Sequence, residues 1–92
     1  MSVSGLAREV AALTGKARLS PAFATVAVTH GATHPVTIEA PQAAPRLLSR
    51  VLRGIDNHAA TPGWMQERLR RSGLRPISPV VDVTHYVMLE LG

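Results

Sequence analysis

The chain of 92 residues has no cysteine. That absence excludes a disulfide framework and any thiolate zinc site. Aromatic residues are nearly missing as well. Phe23, Trp64 and Tyr86 are the full set, so a core has to be built from Val, Leu, Ile and Ala. No apolar run approaches the ~20 residues that a membrane-spanning helix needs. The N-terminus lacks the basic start and apolar stretch of a secretion signal. These absences point to a cytoplasmic protein with no membrane contact. Lysine is scarce too: nine of the ten basic residues are arginine, and the net charge is +4. Arginine pairs with phosphate in a two-toothed geometry that lysine cannot match. A polyanionic partner such as RNA is one reading of this balance; an ordinary solvated surface is the other.

What is present is an ordinary globular share of apolar residues, 46%, which argues against wholesale disorder. The length fits one domain or part of one. A core of this size buries only ~60% of the unfolded chain's surface, so stability is marginal.

Hydropathy patterning divides the chain. Residues 4–14 have helical spacing, with Leu6, Val10 and Leu13 on one face, Ser4 as a cap and Gly15 as a stop. Residues 24–29 alternate as a strand does, and Val36 to Glu39 alternate again after a turn at His30 to Pro35. Pro41 and Pro45 bracket a break. Residues 46–55 read as helical by periodicity alone, since Leu47, Leu48, Val51, Leu52 and Ile55 fit that spacing. Residues 61–72 predict a helix with Thr61 as cap, Pro62 in the first turn, and Trp64, Met65 and Leu69 as the buried face. Glu67 precedes Arg71 by four residues, a pair that contributes ~0.2–0.5 kcal/mol. Residues 78–91 open with Ser78-Pro79, and Val80, Val83, Val87 and Leu91 then line one face.

Few residues carry chemistry by pattern. His30 and His34 have the four-residue spacing of metal ligands on a helix, but they sit in a turn without a third ligand, and no metal site is expected. Arg68, Arg70, Arg71 and Arg75 fall within eight residues, a set able to grip RNA phosphates or simply to solvate a helix. No aromatic residue interleaves with them in sequence, so base stacking is not indicated. Asp82, Thr84 and His85 supply a carboxylate, a hydroxyl and an imidazole. Neighbours on a helix point different ways, however, which weighs against a triad.

Residues 61–92 contain Pro62, Trp64-Met65, Leu69-Arg70-Arg71-Ser72-Gly73, Val80-Val81-Asp82-Val83-Thr84 and Leu89-Glu90-Leu91-Gly92. Residues 5–15 read Gly-Leu-Ala-Arg-Glu-Val-Ala-Ala-Leu-Thr-Gly, and residues 36–54 include Glu39-Ala40-Pro41 and Pro45-Arg46. Together these resemble the beta-chain family of bacterial phenylalanine–tRNA ligases. The resemblance covers about four-fifths of the chain and is weak over residues 16–35. It implies a segment cut from a longer chain: residues 1–15 a helix leading in, and residues 16–92 the first, incomplete part of a B3/B4-type editing domain. The fold expected is α+β, with a leading helix, two to three strands and two further helices; residues 46–55 become a strand. The function implied is hydrolysis of tyrosine mis-attached to phenylalanine tRNA. The editing-site residues carried over are Arg75, Thr84 and His85, with Arg68, Arg70 and Arg71 as RNA contacts. The family has asparagine at position 85. Its editing histidine, and the glutamate that senses the tyrosine hydroxyl, fall beyond Gly92.

The resemblance further implies a parent enzyme that uses ATP and magnesium and pairs two alpha with two beta chains, with the ATP site on the alpha chain. No cofactor is expected in this chain. By itself the chain is expected to be inactive and to self-associate through uncovered apolar faces. The alternatives are a stand-alone basic module that binds RNA or protein, and a degenerate remnant without function.

Overall fold

A computed structural model describes all 92 residues. Three helices form: α1 over Val3–Thr14, α2 over Gly63–Arg71 and α3 over Pro79–Leu91. The chain divides into two compact units. One combines Met1–Ala22 with Asp56–Gly92 and holds all three helices; the other is Phe23–Ile55.

The helices follow from their end signals. α1 starts at Ser2, whose Oγ accepts the Gly5 N–H at 3.0 Å. Ser2 therefore takes the capping place expected of Ser4, and Gly15 ends the helix as anticipated. α2 starts after Pro62, whose carbonyl accepts from the N–H groups of Met65 and Gln66. It closes with a paired arrangement. The Gly73 N–H reaches the Arg70 carbonyl and the Leu74 N–H reaches the Leu69 carbonyl, while Gly73 holds φ 83°, a backbone region that a side chain makes costly. α3 begins with Ser78 as cap and Pro79 in the first turn, where a missing N–H costs nothing.

α3 packs against both α1 and α2. The first contact is tight at the chain's two ends: a Cβ placed on Gly92 would lie 3.3 Å from Ser2 Oγ. At the second, Met65 and Leu69 of α2 are the buried apolar side chains, with Leu69 fully enclosed. Trp64, expected on that buried face, is 55% exposed. The core is thus smaller than the apolar content suggests. Leu6, Val10 and Leu13 of α1 and Val80, Val83, Val87 and Leu91 of α3 remain substantially exposed.

One carboxylate fixes how α2 and α3 begin. Asp82, fully buried, accepts the Thr61 hydroxyl at 2.5 Å and the Ile77 N–H at 2.8 Å. Thr61 leads into α2 and Ile77 leads into α3. Thr61 is therefore not the side-chain cap of α2 but the partner of Asp82, and its carbonyl accepts from Gln66 Nε2 at 2.6 Å. The Thr61 hydroxyl lowers the Asp82 pKa most, and the N–H groups of Ile77 and Ser78 and the nearby His85 lower it further, against the opposing effect of burial.

The α+β expectation is not met. The chain forms three helices and no strand, so the fold is all-α. Residues 24–29, 36–39 and 46–55 are irregular, and 46–55 is neither strand nor helix. The reason is that alternation states which side chains would share a face, whereas a strand exists only when a ladder partner takes its N–H and C=O groups. Within Phe23–Ile55 the two arms are joined instead by a single bond from the Arg50 guanidinium to the Val26 carbonyl, 3.0 Å. One turn at residues 40–44 is closed by the Ala40 carbonyl. Val26, Val28, Val36, Ile38, Leu47, Leu48, Leu52 and Ile55 are all exposed.

Two outcomes are expected of the helical unit. Leu69→Ala removes the one fully enclosed apolar side chain and should cost about 2–5 kcal/mol. Set against a total of about 5–15 kcal/mol, that loss should lower the midpoint of a thermal scan followed by circular dichroism by at least several degrees. Asp82 gives a pH dependence with a definite sign. Its folded-state pKa lies below the unfolded value, so its stabilisation is complete above about pH 3.9, the ordinary aspartate value. It is lost as pH falls through the lowered folded value. Asp82→Asn should therefore melt lower than the unaltered chain at neutral pH, and the gap should close under strong acid.

Candidate functional site

The residues singled out from sequence lie on the α2 C-terminus, the connection after it, and α3. They do not converge on one pocket. Arg75 is exposed between the two helices. Thr84 is exposed on α3, and its hydroxyl donates to the Val81 carbonyl at 2.7 Å. Its oxygen retains acceptor capacity, but its proton is engaged. His85 is half-buried, and its Nδ1 is enclosed without a hydrogen-bond partner.

This arrangement excludes a working triad. Thr84 hydrogen-bonds to backbone rather than to His85. Asp82 is turned toward Thr61 and Ile77, not toward the imidazole. With each carboxylate oxygen accepting one protein hydrogen bond, Asp82 is a positioning group for helix starts. It also borders a cleft of about 460 Å³, with Asn57, His58, Thr61, Gln66 and Ser78 among its walls. Arg75, Thr84 and His85 do not line that cleft.

The arginine set is more organised than the sequence reading allowed. Arg71 pairs with Glu67 at 2.8 Å, the contact expected from their spacing. Both side chains are largely exposed, so the pair contributes little. Arg70 reaches Gln66 Oε1 only at 3.4 Å. Arg68 stands differently. Its Nη1 donates to the Tyr86 hydroxyl at 2.5 Å, and its guanidinium carbon lies 5.5 Å from the Trp64 ring centre and 5.9 Å from that of Tyr86. The two rings meet edge-on, with centres 5.4 Å apart and planes at 87°. Cation–aromatic contacts of this type contribute about 0.5–1 kcal/mol at exposed positions, and they clasp α2 to α3 outside the small core.

Trp64 and Tyr86 were not among the residues picked from sequence. Half of the signal was available: Trp64 and Arg68 are four apart and share a helix face. Tyr86 comes from another helix, and only the packing of α2 on α3 brings it in. No aromatic residue interleaves with residues 68–75 in sequence, and the aromatic partners of Arg68 come from one turn earlier on α2 and from α3. The histidines of the other unit lie along one groove of about 480 Å³, where His30 and His34 are joined by Arg50 and Arg53. His30 Nδ1 accepts the Ala32 N–H at 3.1 Å, so that nitrogen serves a local turn. No helix of the chain is long and apolar enough to cross a membrane.

Comparison with known proteins gives this geometry a family. Residues 43–92 match the B3/4 domain. Over 92 residues the chain is 54% identical to the phenylalanine–tRNA ligase beta subunit of Pectobacterium atrosepticum, covering 100% of this chain and 12% of that protein. The same subunit from Nitrosococcus oceani is also 54% identical over 92 residues, again 100% and 12%. That from Coxiella burnetii is 54% identical over 91 residues, 99% and 12%. The chain thus spans about an eighth of the length of the curated relatives it matches. No solved structure matches it. By the family match over more than half its residues, and by similarity to these subunits along its whole length, the chain belongs to the B3/4 domain family.

Proposed function

We propose that this chain supplies part of the tRNA-editing apparatus of a phenylalanine–tRNA ligase beta chain, in the region that hydrolyses tyrosine mis-attached to phenylalanine tRNA. The observation that carries this reading is identity of about one residue in two, along the whole chain, to beta subunits of that enzyme. The chemical need is plain. A pocket shaped for an apolar side chain rejects an added hydroxyl only ~10²-fold, so a second hydrolytic site has to remove the error.

In this reading Arg75 binds the ester-bearing end of the tRNA through its uncommitted guanidinium. Thr84 offers its oxygen as an acceptor to substrate or water. His85 stands where the family carries asparagine. The chain alone contains no nucleophile–base pair, and its isolated form is inactive. ATP and magnesium act on the alpha chain of the parent enzyme. The residues here do not fit them: the single buried carboxylate, Asp82, is held by protein donors. The parent pairs alpha and beta chains in the cytoplasm.

The test is a transplant. The matching stretch of the Pectobacterium atrosepticum beta subunit is replaced by this chain, the enzyme is assembled with its alpha chain, and release of tyrosine from mis-acylated phenylalanine tRNA is followed. The chimera should hydrolyse the ester, and His85→Asn should raise the rate. Arg75→Ala should lower it by about 10- to 100-fold, the loss of one charge-assisted hydrogen bond of about 1.5–3 kcal/mol. A chimera that aminoacylates normally but releases no tyrosine, with either residue at position 85, would refute the assignment. The isolated chain should release none above the uncatalysed rate.

A further inference from the structure

We infer that the Trp64–Arg68–Tyr86 cluster is a stacking site for one unpaired RNA nucleotide, a contact distinct from the Arg75, Thr84 and His85 positions. The inference rests on the tRNA reading above for its choice of polymer, and on geometry for its place. Trp64 is a large aromatic residue at the junction of α2 and α3 that the fold leaves 55% exposed, although the small core beside it lacks apolar area. The Tyr86 ring, set edge-on to it, and the Arg68 guanidinium, drawn to the Tyr86 hydroxyl, fix its orientation before any ligand arrives. A pre-oriented ring loses little freedom on binding.

Charge selects the occupant. Trp64, Arg68 and Arg71 follow one another at helical spacing along one stripe of α2. A cleft of about 290 Å³ walled by Arg68, Arg71, Tyr86 and Glu90 lies beside the cluster without including Trp64, so it has room for the sugar and phosphate that flank a base stacked on the indole. Three arginines in the last turn of α2 face a single ion pair with Glu67, which leaves net positive charge for the phosphates on either side of a stacked base. Aromatic faces combined with arginines are the recurrent means of holding single strands without reading sequence. Glu90 adds an acceptor for a ribose hydroxyl, a group that RNA has and DNA lacks.

The experiment uses the intact chain and its own reporter, since Trp64 is the only tryptophan. A short single-stranded oligoadenylate is titrated in at low salt, with indole emission read in parallel with anisotropy of an end-labelled oligomer. Saturable quenching that tracks the anisotropy, and weakens with added salt, is the expected result. A duplex of equal phosphate number, whose bases are stacked away, should bind without quenching. Trp64→Leu, which keeps an apolar group against Tyr86 and is checked for helix content by circular dichroism, should weaken oligoadenylate binding on the order of 10-fold. Binding without any change in emission, or equal affinity of the Trp64→Leu chain, would overturn the proposal, as would no binding at low salt. Quenching by oligoadenylate alongside a chimera that releases no tyrosine would sink the editing reading alone. Tyrosine release without quenching would sink the stacking site alone.

Discussion

The structure depends on a buried carboxylate. Removing a charge from water costs far more than the net gain of an ordinary hydrogen bond, so Asp82 is tolerated only because donors surround it. Those donors are the Thr61 hydroxyl and the N–H of Ile77, and they belong to the segments that lead into two different helices. Satisfying one side chain therefore fixes where α2 starts, where α3 starts and how the two are placed. Its position in the first turn of α3 adds the favourable field of a helix N-terminus. Because Met65 and Leu69 are the whole of the buried apolar core, this polar junction and the Trp64–Arg68–Tyr86 clasp take on work that a larger protein leaves to hydrophobic packing.

The same economy explains the remainder of the chain. Helices satisfy their backbone groups locally, so α1, α2 and α3 form wherever caps and stops are written in sequence. Sheets do not, since each strand borrows its hydrogen bonds from a neighbour. Residues 24–29 and 36–39 carry the alternation of strands, yet within Phe23–Ile55 no ladder forms and the apolar side chains stay in solvent. Large exposed apolar stretches mark surfaces that meet other polypeptide.

What was legible in the sequence divides along this line between local and non-local. The three helices, the stop at Gly73, the Pro79 start and the Glu67–Arg71 pair all arise within a few residues of chain and were readable. The cap of α1 is Ser2 rather than Ser4, two positions from the expected one, because both residues are equally good caps by type. Trp64 was assigned to the core because it shares a helical face with Met65. The indole instead stands half exposed, edge-on to Tyr86 of α3, which sequence spacing does not place beside it. The strands failed for want of a partner that periodicity cannot supply. Arg75, Thr84 and His85 stand out as chemistry-bearing residues in the sequence, but only resemblance groups them as one set, and their dispersal, with no pocket shared, is visible only in three dimensions.

Position 85 shows how the two levels meet. On α3, residue 85 is one turn from Asp82, and its charge is among the influences that lower the Asp82 pKa. The first-listed influence, the Thr61 hydroxyl, does not depend on it. An asparagine there would keep a polar side chain beside the junction while removing a titratable one, so the helix starts would survive the exchange through Thr61 and Ile77. What would change is the enclosed Nδ1, which finds no partner in this chain. The exchange at Asp82, by contrast, removes the acceptor on which both helix starts converge and so bears on stability.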